Sequence, residues 1–249
     1  MKKIKMYLVI TCVCVYAPVK VNAQCGTPHI INDKDGYTNV RKAPNGKSEI
    51  VGKMYKHEVF VSQERCGGED EDEIIYSDKW LKVWNDKTSG YIYKENVLRL
   101  DNLPFLKYTD FPSSIVPTNV YRNDSISVTV EITPFDTIAN SASIYGVADL
   151  YFENDAYFAE TKQSREIYNP DNKINKIEVN YKGKKLLLTD KLQNHYYNYH
   201  GYDSYYRTSV NIGSDGELYI GFSGGVEGAV YHAWITIFNG EVIQEFVCW

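Results

Sequence analysis

The chain has little with which to build a metal centre or a catalytic triad. Its 249 residues include five cysteines and five histidines. Cys12 and Cys14 fall in an apolar N-terminal run, while Cys25, Cys66 and Cys248 lie far apart with no His-x-x-x-His spacing beside them. The paired-ligand pattern of a zinc site is therefore missing, and no metal or cofactor is expected. Neither a Gly-x-Ser-x-Gly elbow nor a His-Glu-x-x-His helix occurs. Ser223-Gly224-Gly225 lacks the lysine and the helix start that a phosphate loop requires. Apolar residues at helical spacing are not sustained after the first residues, so a helical bundle is excluded.

Positive charge is also in short supply. The first 23 residues hold four of the 27 basic residues and none of the 32 acidic ones, so the remainder carries a net charge of −9. That balance lacks the basic stripe that nucleic-acid backbones and anionic membrane surfaces select. It suits a basic protein partner or a neutral glycan. Lys2, Lys3 and Lys5 precede the apolar run Met6–Ala17, and Val21 and Ala23 occupy the −3 and −1 positions of a cleavage site after Ala23. Residues 1–23 thus read as an export signal, since the run is too short to span a bilayer. Thr11, Val13 and Gln24 stand where a lipidated cysteine wants a small residue. The expectation is an exported protein, periplasmic or secreted, without membrane insertion once the signal is removed. In that compartment Cys25 and Cys66 are the first candidates for a disulfide, worth roughly 4 kcal/mol on chain-entropy grounds. Cys66–Cys248 is the alternative that would staple two domains.

What the sequence does contain is strand signal. Tyrosine is abundant, with 22 residues, and Thr, Val and alternating polar and apolar positions are frequent. Ser125–Ile132 alternates over its whole length, and Ser143–Phe152, Lys176–Tyr181, Lys185–Thr189, Tyr206–Ile212 and Glu217–Phe222 are further strand candidates. Asn239-Gly240 is the preferred pair for a type I′ hairpin turn. Turns are also expected at Lys182-Gly183 and Ser214-Asp215-Gly216. Three of the eight prolines cluster within Asp101–Asp124, which reads as an extended connector lying against a domain through Leu103, Phe105, Leu106 and Phe111. The expected organisation is a domain over 25–100, a connector over 101–119 and an antiparallel β-sandwich or jelly-roll-like domain over 120–249.

The first domain has a more specific pattern. Gly36-Tyr37-x-Asn39-Val40-Arg41-x-x-Pro44 is followed by Ile50-Val51-Gly52, then Trp80-x-Lys82-Val83 and a closing Gly90-Tyr91-Ile92. In order and spacing these residues resemble the bacterial SH3 (SH3b) family over 35–99. The resemblance implies a small closed SH3-like β-barrel, an accessory module of exported bacterial proteins that binds peptidoglycan or protein and is not itself an enzyme. It also implies that Arg41 is scaffold. One departure is the long acidic insertion Gln63–Ser77, which carries Glu69, Asp70, Glu71, Asp72 and Glu73 in succession. Adjacent like charges favour a solvated loop, with contact to a basic partner as its functional reading. Neither this loop nor Asp33-Lys34-Asp35-Gly36 completes the calcium-loop pattern, because the closing glutamate is missing.

A second binding candidate is Asn194–Arg207, which contains Tyr196, Tyr197, Tyr199, Tyr202, Tyr205 and Tyr206. Tyrosine gives large contact area at low entropic cost. His195 and His200 are five apart and fall on opposite faces of a strand, and His232 in a strand pattern reads as a sheet histidine. The function expected is a non-enzymatic binding protein that engages cell-wall material or a protein, with an inhibitor of a basic secreted effector as its sharper form. The rival is a wall hydrolase whose second domain is catalytic.

Overall fold

The computed structural model describes residues 26–62, 79–110, 118–134, 172–188, 208–226 and 229–248. These form sixteen strands and two short 3-10 turns, and no α-helix occurs among the described residues. The strands assemble into three antiparallel sheets. All-β architecture follows from the alternation and from the turn residues already noted.

The first sheet holds β1 (Thr27–Ile31), β2 (Tyr37–Arg41), β3 (Ile50–Tyr55), β4 (Phe60–Ser62), β5 (Trp80–Trp84), β6 (Ser89–Tyr93) and β7 (Val97–Arg99). Its order is β3-β2-β6-β5-β4-β1-β7. Ile31, Val40, Met54, Phe60, Leu81, Val83 and Ile92, drawn from six different strands, form one buried cluster, so the sheet curls around it. At its tightest point Arg41 opposite Tyr91 is the register pair joining β2 to β6. A Cβ on Gly90 would stand 2.5 Å from the Arg41 carbonyl oxygen, which is why the chain has glycine at this corner.

The expected barrel is met only in part: the sheet curls, but its closure is not seen among the described residues. The ladder has two ends, β3 and β7, and does not close on itself among the described residues. Closure would need β3 to pair with β7. Instead β7 pairs with β1 alone, and a 3-10 turn over Leu100–Asn102 carries the chain to the next sheet.

The second sheet runs β8 (Lys107–Asp110), β9 (Thr118–Arg122), β10 (Ile126–Pro134), β11 (Asn172–Tyr181) and β12 (Lys184–Leu187), and the third runs β13 (Ser209–Ile212), β14 (Leu218–Val226), β15 (Ala229–Phe238) and β16 (Glu241–Cys248). In both, each described strand pairs with its sequence neighbours. These are meanders rather than the crossed order of a jelly roll. The turn residues behave as their chemistry demands: Lys182 and Gly183 have φ of 51° and 77°, and Asn239 and Gly240 have 53° and 81°. Positive φ at both central positions is the type I′ requirement.

The third sheet is buried on both faces. Leu218, Ile220, Phe222, Tyr231, Ala233, Ile235 and Ile237 pack against Val128, Val130, Ile177 and Val179 of the second sheet. On the opposite face Tyr219, Trp234, Phe246 and Cys248 pack against Ile30, Val59, Val61, Leu100 and Leu103. Two-sided burial accounts for the nearly continuous apolar run of β15. The proline-containing segment is part of this assembly: Leu103 and Leu106 are buried, the Leu106 N–H donates to the Val210 carbonyl, and the Ile212 N–H donates to the Pro104 carbonyl, each at 2.8 Å.

Candidate functional site

A cleft of about 330 Å3 opens on the first sheet, lined by Asp33, Asp35, Tyr37, Asn39, Arg41, Trp80, Tyr93 and Asn96 among others. Strand pleating puts it there. Tyr37, Asn39 and Arg41 alternate along β2 with the inward-facing Thr38 and Val40, so the three longer side chains line one face. Trp80 and Tyr93 are directly opposed across β5 and β6, and their rings meet edge to face with centroids 5.7 Å apart. The Asp33 carboxylate accepts the Asp35 N–H at 3.1 Å, and Gly36 with φ of 76° completes the tight turn that presents both acids.

Internal hydrogen bonds hold the cleft rigid. Asn96 Nδ2 donates to Thr38 Oγ1 at 2.9 Å, tying the turn after β6 to β2. Arg41 Nη1 donates to the Ser48 carbonyl at 2.7 Å, and Ser48 Oγ accepts the Ala43 N–H at 2.9 Å. One guanidinium nitrogen of Arg41 thus pins the 42–49 turn, an architectural task. Lys53 Nζ lies 3.8 Å from the Tyr37 ring centroid and adds a cation–π contact at the cleft's edge. Aromatic faces, carboxylates and side-chain amides in one open groove are what hydroxyl- and amine-bearing chains need: stacking surfaces, acceptors and donors.

The segment between β3 and β4, Lys56–Val59, clasps the third sheet. Lys56 Nζ pairs with Asp215 Oδ2 at 2.6 Å. His57 Nδ1 meets Glu217 Oε1, and its ring stacks on Phe238 with centroids 4.3 Å apart. Val59 exchanges two hydrogen bonds with the Gln244 side-chain amide. Gln244 reaches Val59 because β16 carries a bulge: Thr236 opposes Gln244 while Ile237 opposes Val242. The extra residue, Ile243, is exposed.

Ser223 Oγ and His232 Nδ1 are hydrogen-bonded at 2.7 Å across β14 and β15. Burial pulls the His232 pKa below its usual value, so the ring is held neutral. The two residues are directly opposed in a regular ladder, and His232 stacks on Trp234. Ser223 is almost wholly buried, which closes it to an attacking role.

The residues singled out from the sequence have different fates. Glu69, Asp70, Glu71, Asp72 and Glu73 lie outside the described residues, as do Tyr196, Tyr197, Tyr199, Tyr202, Tyr205 and Tyr206, the two histidines His195 and His200, and the disulfide candidates Cys25 and Cys66. Cys248 is buried, and Cys66, its partner in the cross-domain alternative, lies outside the described residues. Sequence reasoning quoted Asn39 and Trp80 only as parts of the motif and missed that they share a groove with Tyr93. Their spacing within the motif was the available signal. No local pattern marks the clasp, since His57 and Glu217 are 160 positions apart.

Fold and groove together define an all-β protein with a ligand-sized cleft on a curled antiparallel sheet. Comparison with protein-family models finds no match, and comparison with curated proteins finds none.

Proposed function

We propose that this chain is an exported, non-catalytic binding protein whose first sheet is an SH3b-type module and whose cleft takes a peptidoglycan fragment. The observation that carries the reading is the cleft itself: Tyr37, Trp80 and Tyr93 with Asp33, Asp35, Asn39 and Asn96 around about 330 Å3 of open space. Peptidoglycan offers sugar faces for the rings, amides for the two asparagines and free amines for the two carboxylates. The motif Gly36-Tyr37-x-Asn39-Val40-Arg41 supports the family assignment independently of the groove. The second and third sheets, sharing one core, make a sandwich that serves as its rigid mount.

Two other readings are separated by experiment. An acidic inhibitor of a basic secreted protein draws on the net charge of −9 beyond residue 23, which would speed association electrostatically. A wall hydrolase draws on the Ser223–His232 hydrogen bond, but the near-complete burial of Ser223 weighs against it. Purified protein is incubated with insoluble peptidoglycan and sedimented. Retention that survives moderate salt and is lost in Trp80→Ala supports the proposal. Absence of retention overturns it, and salt-sensitive capture of one basic protein would then favour the inhibitor. Release of soluble wall fragments, abolished by Ser223→Ala, would favour the hydrolase.

A further inference from the structure

At the clasp, three potential ligand groups converge from two sheets. One atom each from His57, Asp215 and Glu217 lies within 4.8 Å of the other two. Glu217 sits just before β14 and is 1% exposed. Its Oε1 faces His57 Nδ1, and its Oε2 accepts the Asp215 N–H at 2.9 Å. Glycine at position 213 leaves room for the carboxylate, because a Cβ there would stand 2.3 Å from Glu217 Oε2 and 3.0 Å from the Tyr219 ring. The imidazole is fixed by Phe238 on one face and by a backbone φ of 75°, a left-handed conformation that histidine rarely adopts.

A separate feature points to a missing ligand. Tyr219 is fully buried, and its hydroxyl makes no well-formed hydrogen bond among the described residues. The Tyr219 ring and the Glu217 carboxylate both lie against Gly213, which places this residue beside the cluster. A buried donor left unmet is destabilising. A metal-bound oxygen would accept from it, as groups that hydrogen-bond to metal ligands do in metal sites.

We propose that His57 Nδ1 and the carboxylates of Asp215 and Glu217 bind a divalent ion of the zinc class, fastening the Lys56–Val59 segment to the third sheet. One imidazole and two carboxylates form a nitrogen–oxygen donor set of the kind zinc takes with three protein ligands, leaving a fourth position open. Magnesium and calcium prefer all-oxygen sets. With Lys56 swung away, the charges of the two carboxylates balance a dication. Lys56 is its competitor: the ammonium holds Asp215 Oδ2 at 2.6 Å and is partly exposed, free to swing away.

The test is isothermal titration of the chelator-treated full chain with zinc chloride, and with magnesium chloride as the contrast. One zinc equivalent binds and magnesium does not. Asp215→Asn, at a partly exposed position that tolerates the change, weakens zinc at least tenfold, and His57→Ala abolishes this binding. Lys56→Gln strengthens it roughly two- to fivefold, the worth of a surface ion pair removed from competition. That gain separates a metal site from a merely structural cluster, which would only lose stability without Lys56. Absence of zinc binding at millimolar concentration overturns the proposal. So does zinc binding that survives His57→Ala, or a Lys56→Gln variant that binds zinc more weakly than the parent.

Discussion

Gln244 acts toward Val59 as a strand neighbour would: its Oε1 accepts the Val59 N–H at 2.6 Å and its Nε2 donates to the Val59 carbonyl at 2.9 Å. Both partners are buried, so water cannot replace either bond. Gln244→Leu keeps the volume and removes both partners of the Val59 backbone. Each orphaned group costs about 1–3 kcal/mol, giving about 2–6 kcal/mol in all. Urea unfolding should show a lower midpoint with unchanged slope. A loss below about 1 kcal/mol would mean that the clasp relaxes to let water in.

The cleft makes a different demand. Trp80 meets Tyr93 edge to face, a contact worth about 0.5–1.5 kcal/mol of stability beyond its buried area. If the groove grips wall fragments, Trp80→Ala lowers affinity at least tenfold while leaving a folded protein. Lys185→Ala, at an exposed position on the second sheet, leaves affinity unchanged. Muropeptide titration followed by tryptophan fluorescence reads both. Equal affinity in Trp80→Ala and the parent would remove the cleft from the binding account.

Gly90 is a backbone constraint rather than a flexible link. A Cβ there meets the Arg41 carbonyl oxygen at 2.5 Å and Val40 Cγ1 at 2.8 Å. Backbone on one side and a core side chain on the other cannot both retreat. Gly90→Ala therefore opens the β2–β6 corner, at a cost on the order of 1–3 kcal/mol as for other overpacked sites. Thermal unfolding checks this. A melting temperature equal to the parent's would show that the corner has slack.

How much of this was legible beforehand depends on whether the cause was local. Asn239-Gly240 and Lys182-Gly183 declare themselves because positive φ is a property of single residues. Alternation in Ser125–Ile132 marks β10 because one face is core. β8 and β9 fell within or beside a segment read as connector, since its prolines mask short strands on either side. β1 was missed as well, with Pro28 inside it. Polar positions were the deepest loss. Asn211, Tyr219, Thr236 and Gln244 form one cross-strand row on the third sheet, and in the sequence each reads as an outward residue. Only the first sheet, folded over that row, turns an outer face into an interior one. The clasp is invisible for the same reason, and the acids singled out by their run of charge lie outside the described residues altogether.

His232 carries a pH dependence whose sign can be worked out. Its ordinary pKa of 6.5 is lowered in the folded protein by burial. The unfolded chain therefore takes up a proton as the pH falls through about 6.5, while the folded chain resists until a lower pH. Stability is complete above that range, declines as the pH drops below it, and levels off once the folded imidazole is also protonated. The slope from this group is at most ~1.4 kcal/mol per pH unit, and partial exposure of the ring reduces it. Asp101, Glu178 and Asp215 have lowered pKa values through Arg99, Lys176 and Lys56 respectively, so their contributions are lost only at more acidic pH, below the ordinary carboxylate range. The two windows separate. Urea unfolding at pH 7.5, 6.5 and 5.5 should show a stability loss in the parent that His232→Gln reduces, with the glutamine still able to bond Ser223. An unchanged slope in that variant would assign the loss to another group and free the Ser223–His232 pair from any part in the acid response.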